Sequence, residues 1–333
     1  MSSSHVDEAR LMSGNHSVVQ TQQHAPGLSI PALIAILFFA CGGTTNPRLE
    51  PNLPVELEEG INPDWLPDNS AVTSIFNYNL ENYPWETQHA RGGYIQFRKT
   101  GGELGFWRSR ISPGGVFYHA WSNEASGRNL VYVADSITGG YSLYQLDQTS
   151  GESIELFTAE KAIMWPSWSA DNSKIAFINL DERNGITVVN SNGSGGAKVI
   201  DNTIDWGGIK FARCACHAPY IVYVSRHLDK IGIYSIGLAG GAPEILVEIE
   251  NPTAMIHSAE LSPDGSVLAY TSDDTRDPQF RQPVIYLKML PDGEPRAITS
   301  NLMLTKNYTR RYYLRHWLHL AWAPDGRTIV CEA

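Results

Sequence analysis

Three histidines, His119, His257 and His319, and one tryptophan, Trp165, stand at the heads of apolar, strand-like runs. Imidazoles gathered at one point could hold a divalent metal or a sugar acid, since neutral ring nitrogens ligate metals and ring N–H groups donate to carboxylates. Near the C-terminus, "TKNYTRRYYLRHWLHL" interleaves Lys306, Arg310, Arg311 and Arg315 with Tyr308, Tyr312, Tyr313 and Trp317. Arginine among aromatic rings suits an anionic glycan or a protein partner. The plainer reading is a charged connection with its aromatics packed at the base. "CACH", from Cys214 to His217, has no second ligand pair and no haem-attachment spacing, so it reads as small strand residues. "SDDTRDPQFRQP" carries Asp273, Asp274 and Asp277 without the spacing of a cation-binding loop. No G-x-S-x-G elbow, P-loop or dinucleotide fingerprint occurs. On these grounds no catalytic residue, metal ligand or cofactor is assigned.

The elements that must position these residues are extended. The chain has 333 residues, only 18% charged, with 29 Gly, 19 Pro, 15 Tyr and 9 Trp. Many turn formers beside many aromatics favour an all-β architecture. A net charge of -10 argues against general nucleic-acid binding. Four cysteines make no disulfide framework.

One phrase recurs. "WPSWSADNSKIAFIN" starts at Trp165, "HSAELSPDGSVLAYTS" at His257 and "HLAWAPDGRTIVCEA" at His319. "HAWSNEASGRNLVYVAD" from His119 is a degraded copy, and "KFARCACHAPYIVYVS" from Lys210 keeps only the apolar pattern. Each reads as a strand, a tight turn and a second strand. Pro presets φ, Asp bonds its own backbone and Gly accepts positive φ. A second hairpin follows each, as in "GYSLYQLDQTSGESIELF" from Gly140 and "PVIYLKMLPDGEPRAIT" from Pro283. Two hairpins make a four-stranded antiparallel sheet, too small to bury its own faces, so neighbouring sheets must stack. A period of about 40–60 residues is that of propeller blades.

"SPDGSVLAY", "APDGRTIV" and "IYLKMLPDGEPRAIT" resemble the WD40-like repeats of TolB-type β-propellers. The resemblance covers about residues 116–333. It implies a ring of blades and leaves activity open, because that fold serves binding proteins and enzymes alike. "YSLYQLDQTSGESIELF" is also similar to strands of oligogalacturonate lyase propellers, which use histidines and a divalent metal. The three histidines here occupy different repeat positions, which favours hydrogen-bonded structural roles over a metal site.

Four complete sheets are expected at about 116–157, 163–200, 208–248 and 257–299, with one lone hairpin at 317–332. The lone hairpin needs two more strands, since an open sheet edge invites aggregation. "GYIQFRKTGGELGFWRSRI" from Gly93 supplies a hairpin at about 94–110, and the expectation is five blades with that hairpin completing the last.

The front of the chain reads differently. Ile30 to Ala40 is an apolar run too short to span a bilayer as a helix and of the right length for an export signal. It ends at Cys41 and resembles a bacterial lipoprotein signal, with Cys41 as the lipidated residue. Phe38 holds the place where that pattern prefers Leu, and Arg10 is the only lysine or arginine before it. The expected organisation is a signal or anchor segment at 1–40, a tether and irregular lead-in at 41–92, and a β-propeller at 93–333.

The functional expectation is a monomeric, non-catalytic binding protein of the bacterial cell envelope, docking a protein or glycan. It would be periplasmic or lipid-anchored at the outer membrane through Cys41, or else secreted. The candidate contacts are His119, Trp165, His257, His319, Arg310, Arg311 and Trp317. The alternative is a metal-dependent propeller lyase acting on acidic oligosaccharides.

Overall fold

The computed structural model describes residues 33–38, 55–59, 61–76, 94–99, 104–107, 115–124, 129–136, 139–182, 185–195, 198–201, 209–211, 220–227, 230–251, 254–273, 284–298 and 319–332. Among them, strands form six antiparallel sheets of four. Four sheets use consecutive strands. The first of these holds β7 (Val116–Trp121), β8 (Asn129–Asp135), β9 (Tyr141–Asp147) and β10 (Ser153–Ala159). The next holds β11 (Ile163–Trp168), β12 (Lys174–Asn179), β13 (Gly185–Asn190) and β14 (Lys198–Asp201). Then come β15 (Ile209–Phe211), β16 (Tyr220–His227), β17 (Lys230–Gly237) and β18 (Glu244–Ile249). The last of the four is β19 (Met255–Leu261), β20 (Val267–Asp273), β21 (Val284–Met289) and β22 (Arg296–Ala297). These sheets fall where the repeat places them.

The turn of the repeated phrase explains why the chain reverses where it does. Gly265 N–H donates to the Ser262 carbonyl at 2.8 Å, with Gly265 at φ +74°. Asp264 locks the turn by accepting from Ser266 N–H at 3.0 Å and from the Ser262 hydroxyl at 2.6 Å. Asp171 does the same for Ser173 N–H at 3.0 Å and the Ser169 hydroxyl at 2.6 Å. There the positive φ falls on Asn172, at +58°. Asn is the non-glycine residue that best tolerates this region, because its short amide bonds locally.

A fifth sheet lies where a tether was expected. β3 (Ile61–Trp65), β4 (Ala71–Phe76), β5 (Tyr94–Lys99) and β6 (Leu104–Trp107) pair in order. Its inner turn is the same device: Asn69 sits at φ +62°, and Asp68 accepts from Ser70 N–H at 2.9 Å. The expected closure by residues 94–110 is therefore corrected. That hairpin forms the outer half of its own sheet, paired through Ile75↔Ile95 and its neighbours. The propeller also begins well before residue 93.

The sixth sheet closes the ring. β23 (Leu320–Trp322) and β24 (Thr328–Glu332) pair with β1 (Leu33–Phe38) and β2 (Val55–Glu59), in the order β2-β1-β24-β23. N-terminal and C-terminal strands do share one sheet, as expected, but the donor is the apolar run near residue 35. The expected five sheets are six. Both differences have a physical cause. A short apolar run looks alike as a signal core and as a buried strand, and Asn69 masks the Asp-Gly turn of an additional copy.

The inner strands touch in the cyclic order β23, β3, β7, β11, β15, β19 and back to β23. Adjacent sheets bury their apolar faces against one another, as where Trp65 and Val72 meet Ala321, Ala323 and Val330. A further apolar face buries Trp322, Leu320 and Ile329 against Ala269, Ile285 and Leu287. Within sheets, Tyr132 stacks on its direct partner Tyr144 at 5.3 Å, and Tyr270 on Tyr286 at 5.1 Å. Such cross-strand aromatic pairs are the unit of sheet stabilisation.

Candidate functional site at the ring axis

Tryptophans at the ends of three inner strands clip their sheets to the preceding one. Trp65 Nε1–H donates to the Ala321 carbonyl at 3.2 Å, Trp168 Nε1–H to Ala120 at 3.1 Å and Trp322 Nε1–H to Glu260 at 3.2 Å. Two acids reinforce the clip. Asp64 Oδ2 accepts from Trp121 N–H at 3.0 Å, and Glu260 Oε2 from Trp322 N–H at 3.1 Å. Asp64 and Glu260 are both buried. A buried carboxylate is tolerable here because backbone donors face it. Neither acid is among the candidates drawn from the sequence. The signal that marks them is an acid directly before the last residue of an inner strand, Trp65 in one case and Leu261 in the other.

His119 belongs to this framework. Its Nε2 lies 2.8 Å from the Thr73 hydroxyl, which also accepts from Trp121 Nε1–H at 2.9 Å and donates to the Asp64 carbonyl at 3.2 Å. A threonine hydroxyl has one proton and two lone pairs. Which partner donates at the His119–Thr73 contact is set by the imidazole tautomer. This histidine is a buried post between β4 and β7.

His257 lies within its own sheet. Its Nε2 is 3.8 Å from Asp273 Oδ2, across β19 and β20, while Asp273 Oδ1 accepts from Met255 N–H at 2.7 Å. The pair is mostly buried and close to the start of the inner strand.

Trp165 and His319 are brought together. They come from β11 and from the residue before β23, which stand three steps apart in either direction around the six inner strands. Trp165 Nε1–H points at His319 Nε2 at 3.5 Å, and the ring centroids are 6.2 Å apart. Tyr118, from β7, meets the Trp165 ring edge-on at 5.9 Å. These rings span the axis. Trp165 is held at φ +49°, within a register shift between Met164 and Ser167. A bulky residue in this region is strained and persists only where its surroundings fix it. The bulge aims the indole inward, and Pro166 follows it. Sequence reasoning misses Tyr118. It occupies the same repeat position as Trp165 and His319, three residues before Trp121, Trp168 and Trp322 respectively.

The structure thus unites two of the candidates, Trp165 and His319, and assigns His119 and His257 to separate contacts. Arg310, Arg311, Trp317 and Cys41 lie outside the described residues. Among the described residues, no three His, Cys, Asp or Glu side chains are grouped to hold a metal ion. No helix among them is long and apolar enough to cross a membrane.

No protein-family model and no curated protein matches the chain. Solved structures do. A TolB-type protein from Agrobacterium tumefaciens superposes with a TM-score of 0.64 at 14% identity, over 92% of this chain and 99% of that one. An oligogalacturonate lyase in complex with manganese gives 0.52 at 13%, over 84% and 79%. A nidogen/laminin complex gives 0.52 at 11%, over 77% and 89%. At such identities the likeness is one of fold. Together with the six cyclically packed sheets, it establishes that this chain has the fold of the TolB-type β-propellers.

Proposed function

We propose that this chain is a non-catalytic binding propeller of the bacterial cell envelope, docking a protein or glycan partner on a face of the ring. The observation that supports this reading is the contact of Trp165, Tyr118 and His319 across the axis. Those side chains pack on one another, and His119 is committed to Thr73, so the inner wall serves as scaffold. A rigid ring offers its faces and connecting loops for docking, which is where recognition surfaces usually sit. The basic and aromatic stretch leading into His319, with Arg310, Arg311 and Trp317, is the contact we assign to the partner. Envelope placement rests on the apolar run ending at Ala40.

The test is capture from a bacterial envelope extract on the immobilised full-length protein, with a parallel assay on pectin fragments. The expected result is one retained protein or glycan, lost on combined Arg310→Ala and Arg311→Ala substitution. Release of unsaturated uronate, followed by its ultraviolet absorbance, would overturn the reading in favour of a lyase.

A further inference from the structure

Two observations meet in residues 33–38. In sequence, they form the centre of an apolar run that ends at Cys41 and has the length of an export signal's core. In the fold, they are β1, the strand between β2 and β24. Five consecutive residues pair with β24, from Ile34↔Glu332 to Phe38↔Thr328, and the other edge pairs through Ile36↔Val55 and its neighbours. A cut on the amino side of Cys41 removes this strand altogether. β24 would then present an unpaired row of backbone donors and acceptors, and β2 would lose its link to the ring.

Removal of the segment and closure of the ring therefore exclude one another. We propose that Leu33–Phe38 is retained in the folded protein as the ring-closing strand. Export without cleavage satisfies both roles of the segment. A lipid-modified Cys41 as the first residue satisfies only one.

Retention is read directly from the intact mass and N-terminal peptides of the full-length protein expressed in bacteria and purified from membrane and soluble fractions. The expected result is a chain that still contains residues 33–38, whose amides and those of 328–332 exchange slowly with deuterium. A chain beginning at a modified Cys41 would overturn the proposal. The second arm is Ile36→Pro, which deletes an amide from an interior strand. The expected result is at least roughly tenfold faster exchange at 328–332, with the amides of 174–179 unchanged. Unaltered exchange at 328–332 would also overturn it.

Discussion

The sheet β11–β14 and the closing sheet share an inner hairpin and differ in what completes it. "WSADNSKIAF" and "WAPDGRTIVC" make the same turn, with Asn172 and Gly326 at φ +58° and +68°. Each sends its tryptophan Nε1–H to a carbonyl of the preceding sheet. In β11–β14 the remaining strands follow directly along the chain. In the closing sheet they come from the other end, so that Leu37 pairs with Ile329. Hairpin geometry is thus a local matter, encoded within a single turn and its flanking strands, whereas closure is non-local. Loop-closure entropy rises only slowly with separation, so a distant strand is tolerable at equilibrium. The pairing nevertheless has to wait for both ends of the chain, and such contacts are slow to form.

The largest expected effect tests whether the two hairpins are held equally. Trp322 and Trp168 are both buried, and each should cost about 3–5 kcal/mol on substitution by alanine. Urea unfolding followed by circular dichroism measures both. Equal losses fit a closing sheet docked on β19–β22 as firmly as β11–β14 is docked on β7–β10; a Trp322→Ala loss below about 1 kcal/mol contradicts that docking.

Glycines in the consecutive sheets give the next effect. Gly140 has φ +80°, and a Cβ there would clash with the Ala159 carbonyl oxygen. Gly139 has φ +96° with open space around it. Gly139→Ala should cost about 1–2 kcal/mol from backbone strain alone, and Gly140→Ala distinctly more. Thermal melts of the two variants give the order, and a reversed order would refute the described β8–β9 connection.

Acid sensitivity should map to the turns. Hydrogen bonds from the Ser169 hydroxyl, then from Ser173, hold the Asp171 carboxyl below its ordinary value. At Asp264, partial burial pushes upward, but bonds from Ser262 and Ser266 outweigh it and the net shift is again downward. The sign follows from proton linkage: a carboxyl with a lowered folded pKa binds fewer protons folded than unfolded as pH drops. The stability it gives is present above the ordinary carboxylate range and is lost as pH falls through the folded value. Asp171→Asn and Asp264→Asn should flatten the fall in stability below about pH 4, measured by urea melts across pH. An unchanged slope would count against the turn geometry.

The smallest effect concerns the turn that hides in the sequence. Asn69→Gly should leave stability within about 0.5 kcal/mol, because φ +62° suits glycine as well as asparagine. Asn69→Ala should cost about 1 kcal/mol. A neutral alanine would mean that residues 66–70 do not turn like Ser262–Ser266.

Much of the fold is legible in the sequence because turns carry specific chemistry. Asp-Gly after Pro locates the hairpins at 262–266 and 323–327, and the apolar pattern locates their strands. Residues 61–76 are not legible as a blade, because Asn69 replaces the glycine and the flanks are rich in proline, asparagine and acids. Leu33–Phe38 suggests an export signal because apolar content does not distinguish a signal core from a strand. At the axis, Trp165 and His319 can be named as inner-strand residues. Their approach depends on the bulge before Pro166 and on which strands stand opposite, and neither is written in the local pattern. His119 illustrates the converse. By residue type it suggests a ligand, and its partner Thr73 lies in a strand that the repeat pattern does not reach.

The central claim is that the two ends of the chain share one sheet, and a single cross-link tests it. Ala35 and Cys331 are direct partners between β1 and β24. Direct antiparallel partners lie about 4.5–5.5 Å apart at Cα, within the reach of a disulfide. Ala35→Cys, in full-length protein with Cys41, Cys214 and Cys216 changed to serine, should form a bond to Cys331 under mild oxidation, seen as a cross-linked peptide by mass spectrometry. The adjacent Ile36→Cys should not. Free thiols at both position 35 and Cys331, or equal cross-linking from position 36, would contradict the closed ring.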